Sequence, residues 1–324
     1  MMKRALLVGI DHYDNFPPLY GCANDAAALE PLLAHNEDGS PNLECRLAVA
    51  SDAATAVGRD ELLQMIDQLL APGATFALLY FAGHGAQTPG GGVALATSDG
   101  TETSPGVQFS EILARINLSQ VDEITVIIDS CFSGGATTIE ALNTGLANLR
   151  NGLAVLTASR GDEVSVETAD ARGQFSTYLQ GALDAGAADV LGRINVSGLY
   201  AALSESFGAW DQRPTFKANI DRLHEIRTVR PKLPLPMLRN ITTWFPTPDY
   251  VLPLNPTFEP SSQKDQKDRH PNTTIFSGLQ RYRASLLLEP VGEDHMYYAA
   301  MHYKSCRLTP LGRHYWNQVK AERI

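Results

Sequence analysis

The chain of 324 residues is 44% hydrophobic and 19% charged, the composition of a globular protein with a sizeable core, and its length suits one large domain and a smaller one. No apolar stretch approaches the roughly 18 residues a membrane-spanning helix needs, and the four cysteines, Cys22, Cys45, Cys131 and Cys306, have neither zinc-site spacing nor the density of a disulfide scaffold, so free thiols in a reducing cytoplasm are expected. The net charge of −10 is uneven: residues 1–220 hold 11 basic against 26 acidic side chains and residues 221–324 hold 15 against 10, so the first part should attract cationic substrates and repel nucleic acid.

Met1 to Arg4 sets positive charge ahead of an apolar run, but Ala5 to Ile10 is short and leads into Asp11-His12-Tyr13-Asp14 without a cleavage site. Lys3 to Ile10 is therefore predicted as the first strand. Asn24 is the predicted cap of a helix from Asp25 to Leu33, and Glu44 to Ala50 is a second strand. Arg59 to Leu70 carries Leu62, Leu63, Ile66, Leu69 and Leu70 at helical spacing. Thr75 to Phe81 and Ile124 to Ile128 are continuous runs rich in aromatic or β-branched residues, the mark of strands buried on both faces of a parallel sheet. Phe109 to Ile116 reads as a helix between them. A strand over Leu153 to Ala158, helices over Thr177 to Ala185 and Val196 to Phe207, and a closing strand over Thr215 to Ile220 complete an alternation that predicts an α/β domain of residues 1–225.

Pro231, Pro234, Pro236, Pro246, Pro248, Pro253, Pro256 and Pro260 then punctuate a stretch that cannot hold long helices or central strands. Residues 226–274 are accordingly read as a linker or wrapping arm that includes a polar loop, Ser261 to Arg269, open to proteolysis. Residues 275–324 form a small C-terminal domain, in which Ser305 to Trp316 resembles the wing and last helix of winged-helix domains. A regulatory or interaction role for this domain, through a protein partner, is preferred to nucleic-acid binding.

Two short segments carry the chemistry. Tyr80-Phe81-Ala82-Gly83-His84-Gly85 and Asp129-Ser130-Cys131-Phe132-Ser133-Gly134-Gly135 each follow an apolar strand, and in open α/β sheets reactive groups gather outside the strands' carboxyl ends. A thiolate is the nucleophile, so Cys131 must lose its proton, and the imidazole of His84 both favours that state and later protonates a leaving amine. Gly134 and Gly135 leave room for substrate backbone, and Gly85 lets an amide N–H face a developing oxyanion.

With Ala5 to Ile10, Gly21-Cys22-Ala23-Asn24-Asp25-Ala26, Thr157-Ala158-Ser159 and Gly173-Gln174-Phe175-Ser176 in the same order, the chain resembles the caspase-fold cysteine peptidases, peptidase family C14, and among them the metacaspase and bacterial orthocaspase branch. His84 and Cys131 are 47 residues apart, close to the spacing of about fifty in caspase-type proteases. The resemblance implies a caspase-hemoglobinase α/β/α sandwich with a mostly parallel sheet, and a Cys-His dyad without a fixed third residue. It also implies oxyanion donors at the amides of Gly85 and Cys131, and a substrate pocket that includes Ser159 and is lined by Asp25 and Asp129. Two carboxylates in a partly desolvated pocket repel unless a cation lies between them, so cleavage after Arg or Lys is expected. Self-processing is common in the family, and Arg150 is the candidate cut site, with Lys264, Lys267 and Arg269 behind it.

The chain departs from calcium-dependent relatives after the His segment, where Ala86 to Gly92 carries no acidic cluster, so no cofactor and no calcium activation are expected. Three readings follow. The first is a cysteine endopeptidase acting on proteins with exposed basic residues, in bacterial programmed cell death or defence. The second is a catalytically silent caspase-fold scaffold, and the third a DNA-associated regulator working through the positively charged C-terminal part.

Overall fold

In the computed structural model, the first part of the chain runs β1 (Met2–Ile10), α1 (Cys22–Ala34), β2 (Glu44–Ala50), α2 (Arg59–Leu69), β3 (Ala74–Ala82), β4 (Gly85–Gln87), β5 (Val93–Ala96), β6 (Gly106–Gln108) and α3 (Phe109–Leu118). It continues through β7 (Glu123–Asp129), β8 (Phe132–Ser133), β9 (Leu153–Thr157), α4 (Gln174–Gly181), β10 (Arg193–Ile194), α5 (Val196–Ser206), β11 (Thr215–Asn219) and β12 (Arg227–Thr228). The structure describes residues 2–88, 92–130, 149–158, 173–208, 214–262 and 270–324, with the backbone of 132–133.

Among the described residues, six strands form one sheet in the order β11-β9-β7-β3-β1-β2, parallel except for β11 at the edge. The central strands β3 and β7 are buried along nearly their whole length, because both faces of the sheet are covered. One face packs Leu6, Val8, Phe81, Val126 and Ile128 against Leu62 and Ile66 of α2 and Ile112 and Ile116 of α3. The other packs Leu7, Phe76, Leu78, Tyr80 and Leu156 against Leu29 and Leu33 of α1, Phe175 and Leu179 of α4, and Leu199 and Leu203 of α5. Each of these side chains contributes about 1.5–3 kcal/mol through burial. The result is the expected α/β/α sandwich with a mostly parallel sheet.

A small second sheet, β6-β5-β4-β8, lies beyond the carboxyl ends of β3 and β7. Strands of two to four residues leave no periodic trace in a sequence, and this sheet was not anticipated. The start of α1 also differs. Gly21, rather than Asn24, is the cap residue and offers no side chain; the carboxylate of Asp11 accepts instead from the backbone N–H groups of Cys22 (2.8 Å) and Ala23 (3.2 Å). A carboxylate at the positive end of the helix is favourable, and here it comes from the end of β1. The helix can reach that close only because position 9 is glycine: a Cβ there would stand 2.2 Å from the carbonyl oxygen of Cys22.

The chain divides once, between Arg230 and Pro231. The proline-rich stretch expected to be a separate arm is part of the second unit, which contains α6 (Leu235–Arg239), α7 (Ile241–Trp244), β13 (Val251–Pro253), α8 (Asn272–Ala284), β14 (Leu288–Val291), α9 (Met296–Met301), β15 (Ser305–Leu308) and α10 (Pro310–Lys320). Prolines confine this stretch to helices of four or five residues and to an edge strand, β13, in a three-stranded antiparallel sheet ordered β13-β15-β14. Its core holds Leu238, Ile241, Phe245, Phe276, Leu279, Tyr282, Leu308 and Trp316, and the Trp316 indole donates to the Phe245 carbonyl at 2.6 Å. Where a winged-helix domain has a wing loop between paired strands, α9 joins β14 to β15.

Candidate active site

Parallel pairing sets the carboxyl ends of β3 and β7 side by side. Ala82 pairs with Asp129 at the end of the large sheet, and Gly85 pairs with Phe132 where β4 meets β8. The Gly83 amide bridges the two chains by donating to the Asp129 carbonyl at 3.3 Å. His84 therefore sits in a short step between two paired registers, opposite an equally short step from 129 to 132. Cys131 and Ser159 lie outside the described residues.

The imidazole of His84 is half-buried and held on two sides. Its Nε2 donates to the carbonyl oxygen of Pro17 at 2.9 Å, since a carbonyl can only accept, and Nδ1 makes no hydrogen bond among the described residues. Tyr13 packs its ring against the imidazole, centroids 4.8 Å apart, and its hydroxyl accepts from the backbone N–H of His84 at 2.9 Å. A side chain at Gly83 would crowd that hydroxyl, its Cβ falling 2.7 Å from the Tyr13 oxygen. Burial pushes the Tyr13 phenol far above its ordinary range, with Cys22 and Asp11 acting in the same direction, so it stays neutral. The imidazole of His84 is thus oriented by a backbone carbonyl and supported by a tyrosine. Neither was legible in the sequence: every residue has a carbonyl, and Tyr13 carried no motif signal.

The two acids expected in the substrate pocket are both buried, Asp25 being 3% exposed and Asp129 4%. Asp25 projects from the first turn of α1 and accepts from the Gly173 amide, just before α4, at 3.1 Å. Asp129 ends β7 and accepts from the hydroxyl of Tyr80 on β3 at 3.3 Å. Tyr80 links the acids electrostatically: burial first, then Asp129, Asp25 and Cys22, hold its phenol well above the usual tyrosine range. Gly85 opens β4 directly after His84 and is buried.

Arg150 is set apart from these residues. It precedes β9, at the amino ends of the parallel strands, and its guanidinium donates to the carbonyls of Ile116 (3.0 Å), Ser119 (2.8 Å), Val121 (2.6 Å) and its neighbour Asn151 (2.9 Å). In this conformation it ties the end of α3 to the start of β7. Among the described residues no group of three or more His, Cys, Asp or Glu side chains converges as a metal site would require, and no helix is long and apolar enough to cross a membrane.

A family model described as the caspase domain matches residues 2–222. Metacaspase-8 of Arabidopsis thaliana is 27% identical over 154 residues, which are 42% of this chain, and the match spans only 38% of that protein. Among solved structures, a Geobacter sulfurreducens protein superimposes with a TM-score of 0.53 at 16% identity, covering 71% of this chain and 100% of its own, so the two share a fold. Caspase-1 of Spodoptera frugiperda aligns with a TM-score of 0.46 at 13% identity over 70% of this chain and 90% of its own. With two parallel strand ends converging on His84 and the family model covering residues 2–222, the chain belongs to the caspase-domain family.

Proposed function

We propose that the protein is a cysteine endopeptidase that cuts protein substrates after Arg or Lys, with Cys131 as nucleophile and His84 as its base. The observation that carries this reading is the double register, Ala82 with Asp129 and Gly85 with Phe132, because it brings the residues on either side of position 131 against those on either side of His84. The hydrogen bond from Nε2 to Pro17 supports it further by leaving Nδ1 to exchange a proton with a thiol.

The chemistry is an acyl transfer. The thiol proton passes to Nδ1, the thiolate attacks the scissile carbonyl carbon, and the oxyanion so formed is stabilised by backbone N–H donors including that of Gly85. His84 then gives its proton to the departing amine as the C–N bond breaks. A water, deprotonated by the same imidazole, cleaves the thioester and restores the free enzyme.

Preference for a basic side chain rests on the buried pair Asp25 and Asp129. A guanidinium or ammonium group forms charge-assisted hydrogen bonds with carboxylates, so two acids beside the substrate side chain favour a basic one. Ser159 belongs to the same pocket in this reading. No resident metal or cofactor is proposed. Self-processing at Arg150 would be intermolecular or would follow local opening, since its guanidinium is engaged with four carbonyls at the amino ends of the strands. The second unit is proposed to recruit a protein partner, and a role in regulated cell death or defence follows the family alone.

The decisive test assays peptides with Arg, Lys or Asp before the scissile bond, using the wild-type chain and Cys131→Ala, with and without calcium. Cleavage after Arg and Lys that is lost in Cys131→Ala supports the reading. Cleavage after Asp, or activity surviving in Cys131→Ala, refutes it.

A further inference from the structure

Strand β3 carries one feature that packing alone does not explain. Its residues Phe76, Leu78, Tyr80 and Ala82 face α1 and α4 in an apolar row, and Tyr80 is fully buried among them. A phenylalanine would fill the same volume, so the hydroxyl is the part that calls for a reason. Its partner is Oδ2 of Asp129, 3.3 Å away.

We infer that Tyr80 is a positioning residue for substrate selection: its hydroxyl holds Asp129 in its charged form, and so sets the lowest pH at which the pocket accepts a basic side chain. This rests on the basic-residue reading of the pocket given above.

The division of donors supports it. One O–H cannot serve two carboxylates. It goes to Asp129, while Asp25 takes the Gly173 amide and lies in the first turn of α1, where the helix dipole favours a negative charge. The titratable groups facing the phenol are Asp129 from β7 and Asp25 and Cys22 from α1; its neighbours in register, Leu7 on β1 and Ile127 on β7, are apolar. All three push the phenol toward its protonated form, so it remains a donor across the whole working range.

A neutral donor also suits the task better than a charged one. A lysine or arginine at position 80 would neutralise Asp129 and occupy the place of the substrate's own cation. A phenol stabilises the carboxylate and leaves the pocket's negative charge for the ligand.

The test compares wild type and Tyr80→Phe in two ways. The first is the pH profile of kcat/KM on an Arg peptide. The second is calorimetric binding of agmatine, a simple alkyl guanidinium, to the uncleaving Cys131→Ala form with and without Tyr80→Phe. The expected result is agreement at alkaline pH and an acid limb moved upward by about one pH unit in Tyr80→Phe, hence about tenfold weaker binding at the acid end. Superimposable profiles, or a uniform loss at every pH, overturn the inference while leaving the pocket reading intact. If wild type ignores Arg peptides, or Asp129→Asn still cleaves them, the pocket reading itself has failed and the role of Tyr80 falls with it. Should Tyr80→Phe be too unstable to assay, the double variant Tyr80→Phe/Asp129→Ala should melt no more than about 2 °C below Asp129→Ala, because the hydroxyl then has no acceptor at position 129. A much lower melting point would show that Tyr80 acts elsewhere.

Discussion

The Nε2 atom of His84 lies 2.9 Å from the carbonyl oxygen of Pro17, a contact that places the proton of the neutral imidazole on Nε2 and leaves Nδ1 as the basic nitrogen. A carbonyl can orient an imidazole but carries no negative charge to stabilise its protonated form. It is a gentler partner than the buried carboxylate of a serine protease.

His84→Ala should therefore remove the base without unfolding the protein. Alkylation of Cys131 by iodoacetamide, followed against pH, should titrate below the ordinary thiol range in wild type and near about 8.5 in His84→Ala. Identical titrations would mean that the two side chains do not communicate.

Tyr13→Phe keeps the ring against His84 and deletes the hydroxyl that accepts from the His84 amide. We expect kcat to fall about tenfold with KM little changed, because the loss disturbs the position of the base rather than the pocket. Steady-state kinetics on an Arg peptide decide it. A change confined to KM would contradict the assignment.

Asp25→Asn and Asp129→Asn should each lower kcat/KM for Arg and Lys peptides by about 100-fold or more, since each leaves the substrate cation with one buried carboxylate instead of two. Neither should gain cleavage after Asp. Peptide profiling measures both effects.

Arg150→Ala removes four hydrogen bonds, three of them to the carbonyls of Ile116, Ser119 and Val121, and should cost about 1–3 kcal/mol in urea denaturation. Arg150→Lys should recover only part of this, because an ammonium group cannot span three acceptors as a planar fork does. Stability unchanged in both would show that the tie between α3 and β7 carries no weight.

Burial in the second unit pushes the Cys306 thiol from 9.0 up to about 12. The folded state holds the neutral thiol, so this contribution is present in full below pH 9 and is lost as pH rises toward 12. Urea midpoints of the full chain should fall across that window, and Cys306→Val should flatten the fall. A slope unaffected by the substitution would assign it to other groups.

Much of this molecule was legible before any coordinates. The strand over Glu44 to Ala50 has the predicted bounds, and those over Met2 to Ile10, Ala74 to Ala82 and Glu123 to Asp129 extend the predicted ones by one or two residues. Continuous β-branched and aromatic runs have few alternatives to the centre of a covered sheet. The helix begins at Cys22 rather than after Asn24 because the capping carboxylate, Asp11, lies eleven residues before Cys22, beyond the reach of a local capping pattern. In the proline-rich stretch prolines exclude long regular elements locally. They do not prevent three residues, Val251 to Pro253, from pairing with β15 more than fifty residues away.

Residue types and their order alone determined the alternation of strands and helices and the place of a His segment and a Cys segment after apolar strands, whereas a pocket lined by Asp25 and Asp129 is what the family resemblance implies. The first two are properties of side-chain chemistry and of local periodicity, both of which a linear string records. Only the tertiary structure decided that Pro17 orients His84, that Tyr80 serves Asp129, that Gly173 serves Asp25 across 148 positions, and that Arg150 ties the end of α3 to the start of β7. Each of those contacts depends on backbone carbonyls and amides, or on a hydroxyl in an apolar row. Such groups look the same at every position until packing selects one of them.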